Sequence, residues 1–260
     1  MSLQRAPGGA SPRSQRWSAA ARAAGARWPL PELALAAALA AILFLPSLRN
    51  ALPVGYGAYW FLMAERVIEE GFALPHTVPF YGPGGTPFAY PPLGIYATAL
   101  ATGPLGVPLH VYLRLFPPTC MLVVTLAIYL LARRLTASRW AAMAAAAMAT
   151  TTPVVVAYHN TATGTIRGPA LAFAIGTVLL AARALAGDRR QLAATAGAAA
   201  LLASTTLSHL SYAVFAALGV LALAAFHERG ERRRWGRRAA IVGVIGLGGA
   251  LLSAPWWVTV

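Results

Sequence analysis

The chain has 260 residues, 58% of them hydrophobic and only 11% charged, with a mean hydropathy of +0.61. Soluble domains carry ~25% charged residues, and here the apolar residues fall in runs of roughly 17–25, long enough to cross a ~30 Å hydrocarbon core; a soluble globular protein is excluded. All 21 basic residues are Arg, the net charge is +14, and they flank apolar runs as membrane orientation requires, which sets aside a nucleic-acid partner.

Residues 1–30 form a basic tail with Arg5, Arg13, Arg16, Arg22 and Arg27 and no acid. Such a composition cannot bury a core and reads as a disordered cytoplasmic tail. Residues 31–260 form the membrane domain. The first span is expected at about 31–48, with Pro31 in the first helical turn and Glu32 at the positive dipole end. A long outer loop follows, 49–108. It holds three of the seven acidic residues, Glu65, Glu69 and Glu70.

Within that loop, residues 58–70 read as an interfacial helix rich in aromatics, closed by Gly71 as the C′ residue. Glu65 and Glu69 lie four apart on one face, an unfavourable pair unless a cation or Arg joins them. Arg66 and Glu70 can pair. All four side chains either solvate an exposed face or, through Glu65, serve catalysis or metal binding. His76 precedes Pro79-Phe80-Tyr81 and reads as a surface loop residue or a ligand contact. Tyr56, Tyr59 and Tyr90 supply aromatic faces that suit a sugar ring or anchor the loop to lipid. Residues 93–102 are apolar but too short to span, lying between Pro92 and Gly103-Pro104; they are expected at the interface.

Further spans are expected at about 109–132, 140–157, 168–186, 191–207, 210–226 and 239–258, giving seven crossings. Pro117-Pro118 should kink the second. Cys120 is single, cannot form an internal disulfide, and reads as buried packing. With the N-terminus in the cytoplasm, 17 Arg fall inside and only Arg49, Arg66, Arg114 and Arg167 outside, which fixes the orientation. The outer side then collects the first loop, the mouth of the second span with Arg114, the link 158–167 with His159 and Arg167, and Ser208-His209. Convergence of separate polar segments is the mark of a site. An odd span count ending as a helix emerges is what a continuing polypeptide would show.

Several stretches carry a family resemblance. They are the outer loop opening on the aromatic helix 56–70, YPPLGIY (90–96), ARRLTASRWAAMAAA (132–146), HNTATGTIRG (159–168) and LSHLSYAVFA (207–216). As a set over 31–260 the chain resembles the GT-C class of membrane glycosyltransferases that use polyprenyl-phosphate sugars. The resemblance implies an all-α polytopic membrane bundle in the cell envelope that takes a lipid-linked sugar donor, among membrane lipids, at the extracytoplasmic face. It implies an acid in the first loop as general base or as ligand to a divalent cation, Mg or Mn, here Glu65 with Glu69. It implies that Arg114 and Arg167 serve the phosphate, and that Tyr56, Tyr59, His76, Tyr90, His159 and His209 line the substrate site. The family's acid directly follows the first span, where this chain has Val54-Gly55-Tyr56-Gly57. Glu65 is the nearest substitute, about two helical turns on. A relative that binds a lipid-linked saccharide without turnover is the alternative, and a transporter a more distant one. Sugar, acceptor and oligomeric state are not legible in the sequence.

Overall fold

The structure is a computed structural model that describes residues 30–44, 48, 57–78, 84–187, 190–226 and 233–259. The basic tail to residue 29, Tyr56 and Asp188 lie outside them. The helices are α1 (Leu30–Phe44), α2 (Gly57–Glu69), α3 (Leu93–Thr102), α4 (Leu109–Thr136), α5 (Arg139–Thr151), α6 (Pro153–His159), α7 (Gly164–Ala186), α8 (Gln191–Ser208), α9 (Leu210–Phe226) and α10 (Arg233–Trp257). Two two-residue strands, β1 (Thr77–Val78) and β2 (Thr86–Pro87), pair antiparallel between α2 and α3. The protein is a helical bundle, as expected, and the small hairpin is the one addition.

The first loop folds as a unit against the bundle. α2 ends in a Schellman motif: the Gly71 N–H donates to the Ile68 carbonyl at 3.0 Å and the Phe72 N–H to that of Val67 at 2.8 Å. Gly71 takes φ +62°, a left-handed conformation that glycine adopts without steric cost. Met63, Ala64 and Val67 of α2 bury against Ile95 and Ala99 of α3 and Ile166 of α7. The Tyr96 hydroxyl donates to the Phe72 carbonyl at 3.2 Å, tying α3 to the end of α2. α3 has ten residues, so it docks the loop and does not span.

Among the described residues three helices are long and apolar enough to cross a membrane: α4, α7 and α10 from Trp235. α5 and α6 together make a fourth, bent by 59°. The bend has a local cause. Pro153 drives the preceding residue out of the helical region, and Thr152 is extended at ψ 115°. A single straight span over 140–157 is thereby corrected to a broken one. Length and apolarity do not reach seven crossings: α1 and α9 are shorter apolar helices, and α8, diluted by Gln191, Thr195, Ser204, Thr205 and Thr206, is not among the candidates. α4 runs through Pro117 and Pro118 as one helix of 28 residues.

The main core lies among α7, α8, α9 and α10 and is built largely from alanine, including Ala181, Ala184, Ala198, Ala213 and Ala216, with Ile241 and Ile245. Small side chains let helix backbones approach closely, which is how helices associate in lipid. The buried Thr125, Thr195, Thr205 and Thr206 donate to carbonyls one turn back within their own helices. Their hydroxyls are therefore satisfied, and they carry no chemistry.

The bundle has two distinct ends. At one, α10 begins against the ends of α7 and α9: Arg237 donates to the Ala184 carbonyl at 3.5 Å and to Gln191 Oε1 at 2.5 Å, and Arg238 to the Ala224 carbonyl at 3.3 Å. At the other lie the end of α6, the start of α7 and the α8–α9 junction.

Candidate functional site

Two chain reversals build the site. Between α8 and α9 a single residue breaks the helix: His209 is extended at φ −165°, ψ 115°, with its N–H on the Thr205 carbonyl at 2.8 Å. Between α6 and α7 the chain reverses through residues 160–163. A Cβ on Gly164 would collide with the His159 carbonyl and lie 2.9 Å from Pro117 Cβ. Only glycine lets the start of α7 pass so close beneath the end of α6.

His159 is 6% exposed. Its Nδ1 lies 2.8 Å from the Val155 carbonyl and its Nε2 2.6 Å from the Tyr212 hydroxyl. The Tyr212 ring meets His209 edge-on at 5.1 Å. His209 in turn meets Tyr90 edge-on at 6.2 Å. Tyr90 packs on Trp60 at 4.4 Å, and Trp60 on Tyr59 at 4.9 Å. A continuous series of rings therefore runs from the first loop across the bundle end to His159. Such edge and tilted geometries are the favoured ones for aromatic pairs.

One cation governs the electrostatics. Arg167, in the first turn of α7, holds its guanidinium 5.1 Å from the centre of the Tyr158 ring. Burial lowers the His209 pKa below the usual imidazole value, and Arg167 and then His159 lower it further; the ring is neutral at neutral pH. Burial raises the Tyr90 pKa, while Arg167 pulls it back. Among the described residues no carboxylate contributes to either shift.

The structure thus brings together Tyr59, Tyr90, His159, Arg167 and His209. It adds Trp60 and Tyr212, which sequence reasoning passed over. Trp60 adjoins Tyr59, and Tyr212 lies three residues after His209, so local proximity was the available signal. His76 is exposed at the hairpin, where its carbonyl accepts from the Phe88 N–H at 3.0 Å. Arg114 is half-buried on α4, next to a separate apolar cluster of Tyr112, Leu113, Ala101 and Ala162.

Glu65 is half-buried on α2, about 140° round the helix from Trp60 at 100° per residue. It faces away from the side that packs toward Tyr90. Glu69 and Glu70 both pair with Arg66, at 3.0 and 2.7 Å. Among the described residues no group of three or more His, Cys, Asp or Glu gathers.

A helical membrane bundle with an aromatic ring series and an arginine at one end is the form of a GT-C-like membrane glycosyltransferase. A family model described as dolichyl-phosphate-mannose-protein mannosyltransferase matches residues 89–258, roughly two thirds of the chain. The chain belongs to that family. No curated protein and no solved structure matches it. The match contains Tyr90, His159, Arg167, His209 and Tyr212; Glu65 and the whole of α2 lie outside it.

Proposed function

We propose that this chain transfers a sugar, mannose by its family's description, from a polyprenyl-phosphate donor to an acceptor hydroxyl at the extracytoplasmic face of the cell membrane. The observation that supports this reading is the gathering of Tyr90, His159, Arg167, His209 and Tyr212 at one bundle end, all inside the family-matched segment. In the reaction the bond from the anomeric carbon to the phosphate oxygen breaks and a bond to the acceptor oxygen forms. Negative charge develops on the departing phosphate, where Arg167 offers a planar guanidinium suited to phosphate geometry. The rings of Trp60 and Tyr90 offer a face for the sugar.

The acceptor's proton needs a receiver. Glu65 is one, the acid that the family resemblance points to. His209 is the other, and the arrangement favours it: it is neutral and sits within the ring series. Its loss should cost what a general base contributes, ~10²–10⁴-fold. The test uses membranes bearing the protein and labelled polyprenyl-phosphate mannose. His209→Gln is expected to lower kcat/KM about 100-fold or more, with Glu65→Gln within threefold of wild type. The reverse order would put the base on α2.

A second reading is binding of a lipid-linked saccharide without turnover; among the described residues no carboxylate is among the causes of the Tyr90 or His209 shifts. Saturable donor binding by wild-type protein with no product over many hours would establish it; clear turnover ends it.

A further inference from the structure

We propose that Tyr212 is a specificity-determining residue: its oxygen accepts a hydrogen bond from one hydroxyl of the donor sugar, and His159 is the positioning residue that fixes that polarity. The inference rests on the transfer reading above and deepens it.

The Val155 carbonyl can only accept a hydrogen bond. The Val155 carbonyl lies 2.8 Å from His159 Nδ1, so Nδ1 of the neutral ring carries the proton and donates. Nε2 is then left with a lone pair. At 2.6 Å from it stands the Tyr212 hydroxyl, which must donate its one proton to Nε2. The phenol oxygen keeps its lone pairs and has no proton left for anything else. Two ring nitrogens and a carbonyl thus set the sign of a hydrogen-bonding atom 53 residues away in sequence.

That sign divides the labour at this end of the bundle. A phosphate oxygen accepts, and so does Tyr212; the two cannot bond. A sugar hydroxyl donates, and it fits. Arg167 is donor-only and suits the phosphate. His159 is too buried to reach substrate, whereas Tyr212 is half-buried and carries the contact. A site built to bond a substrate hydroxyl discriminates against the analogue lacking it, because its own polar group is left unpaired.

The test compares polyprenyl-phosphate mannose with its monodeoxy analogues, and uses sugar-free polyprenyl phosphate as a competitor. One deoxy position should cost wild type about tenfold in kcat/KM, the scale of one lost hydrogen bond. In Tyr212→Phe, which keeps the ring, that penalty should collapse to within twofold. Inhibition by polyprenyl phosphate should be unchanged in Tyr212→Phe and weakened at least tenfold in Arg167→Gln. In His159→Leu the phenol proton is released, and the deoxy penalty should shrink. Equal tolerance of every deoxy analogue by wild type would overturn the proposal, and that result needs no variant to fold. So would loss of polyprenyl phosphate binding in Tyr212→Phe. If wild type transfers nothing, the transfer reading fails; binding of the deoxy series to wild type and Tyr212→Phe still decides for or against Tyr212.

Discussion

His209 is where residue chemistry is most exposed to test. Its ring is enclosed by Tyr90 ahead of α3, Tyr212 on α9, Arg167 on α7 and His159 on α6. These are the titratable and charged groups that face it among the described residues, and both cations or potential cations oppose its protonation. Burial first, and then Arg167 and His159, lower the folded ring's pKa below its ordinary 6.5. Between the folded and unfolded values the unfolded chain binds more protons, so stability rises with pH across that window. The contribution is fully present above 6.5 and is lost as pH falls below it. Thermal unfolding of detergent-solubilised protein from pH 8 to pH 5 should show wild type losing stability on acidification more steeply than His209→Gln. Equal slopes would mean that His209 titrates as it does in water. Arg167 adds a second prediction at this scale. Arg167→Lys keeps the charge but loses the planar fork, so donor affinity should fall several-fold without the collapse expected of Arg167→Gln.

At the scale of elements, glycine and proline were the informative letters, and they were read unevenly. Gly71 closing α2, α3 between Pro92 and Gly103, and α9 over Leu210–Phe226 were legible because their signals are local. Pro153 was equally visible, yet its 59° break was read through, since the apolar run continues on both sides. The face that Glu65 occupies was obscured because apolar residues crowd both sides of α2 in its first two turns. The pairing of His159 with Tyr212 could not be read at all: it depends on which helix ends become neighbours. Gly164 is the element-scale device that makes them so. Gly164→Ala should destabilise by about 1–3 kcal/mol, the scale of overpacking, and should weaken donor binding as the end of α6 is pushed away. Gly71→Ala meets no atom within 4 Å and carries only the backbone strain of φ +62°, about 1–2 kcal/mol. Its donor affinity should stay within twofold. Thermal unfolding and donor binding measured on both variants separate space from strain.

For the whole molecule the question is whether the ring series and the arginine-rich end face opposite sides of a membrane. The contacts of Arg237 and Arg238 gather the ends of α7 and α9 with the starts of α8 and α10. The starts of α7 and α9 and the end of α8 lie instead with Tyr90 and His159. α7, α8 and α9 therefore run between two chemically different ends. Arginine left on the cytoplasmic side is the strongest orienting signal in such a chain, and on that rule the proposed transfer reaction has the ring series outside. Cys120 is buried, so a Cys120→Ala background is silent to maleimide, and single cysteines then report sidedness. Ala89→Cys and Asn160→Cys should react with a membrane-impermeant maleimide on intact cells. Arg190→Cys, at an exposed position, should react only after permeabilisation. Labelling of Arg190→Cys from outside, with the other two silent, would invert the protein and place the ring series in the cytoplasm. Labelling of Ala89→Cys and Asn160→Cys from opposite sides would be more damaging, because Tyr90 and His159 could not then share one chamber, and neither the transfer chemistry nor the role of Tyr212 would survive.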